Sequence, residues 1–109
     1  MAKNYKIIAQ ASPVAATDTT LYTVPGNSEI VISSITICNR GSVAANYRVA
    51  MRPNNETLAD KHYVVFNTLV PAFDTVALSI GLTADASDVI TVYASTASVS
   101  FGVFGTVIS

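Results

Sequence analysis

The sequence predicts an all-β chain, a single antiparallel β-sandwich of jelly-roll or immunoglobulin-like type with about eight strands. Three observations carry this. Apolar residues alternate with period two along most of the chain, no segment sustains a helical period, and turn residues recur at roughly 8–12-residue spacing. The 109 residues fit one domain. Residues 13–109 read as the sandwich, and residues 1–12 as an N-terminal arm or an edge strand.

Each strand has its own signal. "YKIIAQ" and "TTLYTV" are short β-branched runs. "EIVISSITICN" places Ile30 and Ile32 on one face, then Ile35 and Ile37 on the other phase, with Ser33-Ser34 at the change. A β-bulge there re-aims one strand; a strand crossing between sheets is the competing account. "ANYRVAMR" alternates most cleanly, with Ala45, Tyr47, Val49 and Met51 on one face and Asn46, Arg48 and Arg52 on the other. "KHYVVFN" and "DVITVYAS" are apolar on both faces, as central strands are. In "DTVALSI", Val76, Leu78 and Ile80 share a face; in "SVSFGVF", Val99, Phe101 and Val103 do. Turns are expected at Pro25-Gly26-Asn27, Asn39 to Ser42, Pro53-Asn54-Asn55, Pro71, Gly81 and Asp85 to Asp88. Pro13 and Pro71 each lead through Asp-Thr into a strand, in turns where Asp and Thr bond to nearby backbone.

Composition narrows function. Hydrophobic residues make up 50% and charged residues only 12%, about half the usual roughly 25%. Ser, Thr and Asn fill the gap, a surface easily buried against another protein, so assembly is expected. Net charge is −1, which offers no field for nucleic acid. Cys38 is the only cysteine, so no intrachain disulfide or cysteine-based metal site is expected, and the thiol reads as a small core residue. The apolar run in "MAKNYKIIAQAS" is too short for a signal peptide, and no stretch approaches the roughly 18 apolar residues of a membrane span. Synthesis in the cytosol is expected.

Chemistry-bearing residues are few. Asp60 and His62, the single histidine, alternate about Lys61 in "MRPNNETLADKHYVVF". They are the best acid–base candidates, but no nucleophile motif accompanies them, and a polar connector is favoured. Asp85 and Asp88 offer too few oxygens for calcium and read as an Asx turn. No catalytic residue, metal, cofactor or small-molecule substrate is expected. Arg48 and Arg52 lie about 13 Å apart along one strand face. With Asn46 they form either a docking stripe for an acidic partner or a solvated outer face. Tyr47, Tyr63, Phe66, Tyr93, Phe101 and Phe104 read as core aromatics on alternating positions.

Taken in order, "LYTVP", "I-x-N-R" closing a long strand, "YRVA-x-R", "LADKHY", an Asp-Thr strand and "DVITVYAS" resemble a β-sandwich module of tailed-phage virions, especially phages of cyanobacteria and other aquatic bacteria. The likeness spans residues 21–105; its specificity lies in the order of the pieces. In that group the module occurs as a capsid cement, or decoration, protein and within tail- or fibre-associated proteins. The short chain, with no fibre repeats, points to the cement. The resemblance implies a virion location, a major capsid protein as partner and a homotrimer. Tyr5, Lys6, Asn46, Arg48, Arg52, Asn54, Asn55 and His62 are the expected capsid or subunit contacts. The alternatives are an adsorption module recognising sugar or receptor near Asn54, Asn55 and Tyr63, and an enzyme using His62 and Asp60.

Overall fold

A computed structural model describes residues 3–109. The chain forms nine strands: β1 Lys3–Ala11, β2 Thr19–Thr23, β3 Glu29–Asn39, β4 Ala45–Arg52, β5 Tyr63–Val70, β6 Thr75–Leu78, β7 Leu82–Ala84, β8 Val89–Ala94 and β9 Val99–Ile108. The described residues contain no α-helix, only two short 3-10 turns, Pro53–Asn55 and Asp60–His62.

Two antiparallel sheets face each other. The first runs β1-β9-β3-β6, with β7 also on β3; the second runs β2-β8-β4-β5. Successive strands from β1 to β4 change sheet each time, β4 and β5 form a pair within one sheet, and β8 and β9 change sheet again. This is jelly-roll order. An immunoglobulin-like sandwich would pair its first two strands in one sheet, whereas β1 and β2 lie in opposite sheets. Residues 3–11, for which both an arm and an edge strand stood open, pair with β9 as an edge strand.

The core lies between the sheets. Ile30, Ile32, Ile35 and Ile37 of β3 are all at most 1% exposed and meet Tyr47, Val49, Ile90, Val92, Phe101 and Val103. The phase change in β3 is a bulge: Ile32 faces Gly105, then Ser34 faces Phe104, leaving Ser33 as the extra residue. The strand stays in the first sheet throughout, so both isoleucine pairs point inward. On the other side of β9, β1 shifts register between Ile7 and Ala9 at the same level. The sheet bends there, and Gly105 makes the bend possible. A Cβ on Gly105 would run into the Val31 carbonyl oxygen.

"DTVALSI" forms one strand, β6, and after the turn at Gly81 an additional short strand that was not expected, β7, joins β3 on the other side of the bulge. Both fill one sheet position, so nine strands make an eight-position roll. Three expectations need correcting. "KHYVVFN" is not central, since β5 is the edge of the second sheet; its double-sided apolar character has another cause, described below. Tyr47 and Phe101 are core aromatics in edge-to-face contact, but Tyr63, Phe66 and Tyr93 lie outside the second sheet and Phe104 outside the first. Cys38 is half-buried between Ser100 and Thr75 on the outer face of the first sheet, not in the core.

One buried polar residue ties an end of the roll together. Asn39 is 1% exposed. Its Nδ2 donates to the carbonyls of Val43 and Val70, and its Oδ1 accepts from the Gly41 N–H and the Ser98 hydroxyl. One side chain thus joins the ends of β3 and β5 and the β8–β9 connection. Nearby, the Arg40 guanidinium donates to Ser12 Oγ and the Ala97 carbonyl.

Candidate functional site

The polar features collect outside the second sheet. There, β4 presents Arg48, Ala50 and Arg52, and β8 presents Tyr93, Thr91 and Val89 directly opposite them. Outward positions should be wet, yet Ala50, Thr91 and Val89 are buried. The connection 53–62 covers them: Pro53–Asn55 contacts β8 and Asp60–His62 contacts β4. Asn54 and Asn55 take left-handed φ values that Asn tolerates, and the Asn54 N–H donates to Asp88 Oδ1. Arg52 Nη2 reaches back to Asn55 Oδ1 at 2.8 Å.

His62 closes this cover. Its ring is buried; Nδ1 accepts the Ala59 N–H at 3.0 Å, and Nε2 faces Glu56 Oε1 at 3.3 Å. Nδ1 therefore carries the lone pair and Nε2 the proton in the neutral ring. Both nitrogens are engaged within the connection, and Glu56, not Asp60, is the partner. Lys61 Nζ lies 3.5 Å from the same carboxylate. The histidine hydrogen bond, then the lysine charge, hold the Glu56 carboxyl below its ordinary value. As a chemical arrangement it is a latch on the connection, and His62 is placed inside it rather than on an open surface.

Beyond the cover lies an arginine–aromatic row. The Arg48 guanidinium sits 4.1 Å from the Tyr93 ring centroid on one neighbouring strand and 4.4 Å from that of Phe66 on the other, within cation–π range. Between Tyr47 and Val49, β5 carries an irregularity that sets both Phe66 and Asn67 against Arg48. Asn67 adopts φ 50° and accepts from Arg48 Nε at 2.7 Å. Tyr63 meets Phe66 edge-on, with centroids 4.8 Å apart. This row explains why "KHYVVFN" is apolar on both faces: one face meets the core, the other Arg48. A shallow groove of about 280 Å³, lined by Asp60, Tyr63 and Phe66, opens beside it. No sequence signal names Tyr93 and Phe66 as partners of Arg48, because the strand order that joins them is not written locally.

The expected contact residues fall on two sides of the molecule. Asn46, Arg48, Arg52, Asn54, Asn55 and His62 belong to the second sheet and its cover. Tyr5 is 83% exposed on edge strand β1 of the first sheet, with Lys6 next to it pointing to the other face. Asp85 and Asp88 form a turn: Asp85 N–H donates to Asp88 Oδ2, and Asp85 Oδ1 accepts the Ala86 N–H. At the Asn39 end, Val43, Leu69 and Phe73 are 68%, 56% and 74% exposed. The loops of Val43 and Phe73 are joined by the Phe73 N–H bonding to the Gly41 carbonyl, and Leu69 lies at the end of β5. Phe73 has φ 54°, a strained conformation for an aromatic residue.

No family model, curated protein or solved structure matches the chain. The fold is an all-β jelly-roll sandwich, and such a fold hosts many unrelated functions. Among the described residues no helix is long and apolar enough to cross a membrane.

Proposed function

We propose that the chain is a structural virion protein, a capsid cement that docks on the outer surface of a tailed-phage shell and stabilises it, acting as a homotrimer. The resemblance over residues 21–105 supplies the class. The observation that carries the reading is the apolar end formed by Val43, Leu69 and Phe73. An exposed phenylalanine held at a left-handed φ is costly for a free surface and reasonable for one that is covered in the assembly. Repeated weak contacts from a trimer add by avidity, and binding only the mature shell stabilises it by linkage.

Co-sedimentation with empty shells of the encoding phage tests this. Phe73→Asn should keep or raise the unfolding midpoint, because Asn tolerates left-handed φ, while lowering shell binding at least about tenfold, as loss of an anchoring aromatic does. Wild-type protein that stays in the supernatant at all concentrations would sink the proposal.

The second reading, an adsorption module for sugar or receptor, is supported by the groove lined by Asp60, Tyr63 and Phe66. A glycan-array signal lost on Tyr63→Ala would favour it over the cement.

A further inference from the structure

Among the described residues no element packs on the outer face of the first sheet, and its residues follow from the strand register. Across β1-β9-β3 the outward rows are Lys3–Ile108–Glu29, Tyr5–Thr106–Val31 and Ile7–Phe104–Ser34, and beyond the bulges Gln10–Gly102–Thr36. Tyr5, Ile7 and Val31 are exposed. The Phe104 ring lies against Gly102, where a Cβ would meet it at 2.9 Å, so the aromatic lies along the face rather than standing from it. The face is therefore apolar and hydroxyl-bearing, with charge in one row only.

That row is self-complementary. Lys3 and Glu29 point the same way from strands on either side of β9, about 9.6 Å apart by strand spacing. Among the described residues neither forms a salt bridge, both of the bridges present being to Glu56. Glu29 also lines a shallow cavity with Asp85 and Asp88.

We infer that a second copy of this chain covers this face, with the twofold axis running along β9. Rotation about that line lays β1 of each copy over β3 of the other and keeps the rows level. Lys3 then meets the second copy's Glu29, twice, and Tyr5 packs on the second copy's Val31. Aligned sheets pack about 10 Å apart, a gap the two long side chains span. No other axis through the face brings unlike charges together at both ends of the row. Only β1, β9 and β3 stack in this arrangement, and three strand widths by about eight residues give roughly 400 Å² per copy, about 800 Å² in all, the size of a weak, transient interface. The contact is thus concentration-dependent. It is independent of the capsid reading; a trimer would need a different surface, and this contact would join two trimers.

Mass by light scattering over a concentration series, at low and high salt, tests it. The wild type should double the mass of its basic unit, and salt should weaken the doubling. Lys3→Glu and Glu29→Lys should each raise the dissociation constant at least about tenfold by placing like charges opposite each other. The double reversal should restore it to within about threefold, as a pairwise coupling requires. Circular dichroism on each variant checks that the roll is intact; both positions are exposed. No doubling up to millimolar protein, or a doubling that ignores both single reversals, overturns the twofold pair. A trimer indifferent to Lys3 and Glu29 overturns it too, while leaving the cement reading standing.

Discussion

Asn39 shows how much one side chain can decide. All of its bonding capacity inward is used on backbone and hydroxyl groups from three connections. Asn39→Ala leaves the Val43 and Val70 carbonyls and the Gly41 N–H without their partner, and buried polar groups left so cost about 1–3 kcal/mol each. A loss of about 3 kcal/mol is expected after partial rehydration, read from urea unfolding. Glu56 works at the surface and by charge. Its folded carboxyl is held below the ordinary 4.5, so its contribution is complete above the unfolded value and is lost as pH falls through the depressed folded one. Thermal midpoints of the wild type and Glu56→Gln should therefore differ at neutral pH and converge as the pH falls through the depressed folded value. A gap that widens on acidification would contradict the latch geometry.

At the scale of elements, β3 and β9 matter most. An eleven-residue strand with isoleucines in both phases can bury all four only if one residue is expelled from the ladder, and Ser33 is that residue. The register decides for a bulge over a strand crossing between sheets; the alternation shows only the phase change. What it cannot show is the cost on the neighbouring strand, where Gly105 must let the Val31 carbonyl approach. Gly105→Ala should lower stability by about 2–3 kcal/mol, the range for overpacking a close contact, with the urea m-value unchanged. Should the alanine be tolerated, the bulge is not as tight as the register implies. The arginine–aromatic row is the converse case. Outward placement of Arg48 follows from the period of β4, but its sandwiching by Tyr93 and Phe66 needs β8 on one side and β5 on the other.

For the whole molecule, sheet order distributes the exposed apolar groups. Val43, Leu69 and Phe73 gather at one end, while Tyr5, Ile7 and Val31 share a lateral face. The shell-binding and mass experiments address these two surfaces separately, so either can fail alone.

By itself, the sequence determined the all-β class, the positions of eight of the nine strands to within a few residues, and the phase change at Ser33-Ser34 in the isoleucine strand. These depend on period and turn chemistry, which act between near neighbours along the chain. Tertiary structure alone decided the jelly-roll order, the bulge at Ser33 rather than a sheet crossing, the edge position of β5, the extra strand β7, the partners of Arg48 and the turning of His62 toward Glu56 rather than Asp60. Each of these depends on which distant strands share a ladder or which segment covers a sheet face. Such pairings are set by the packing of the whole core, and no local pattern encodes them.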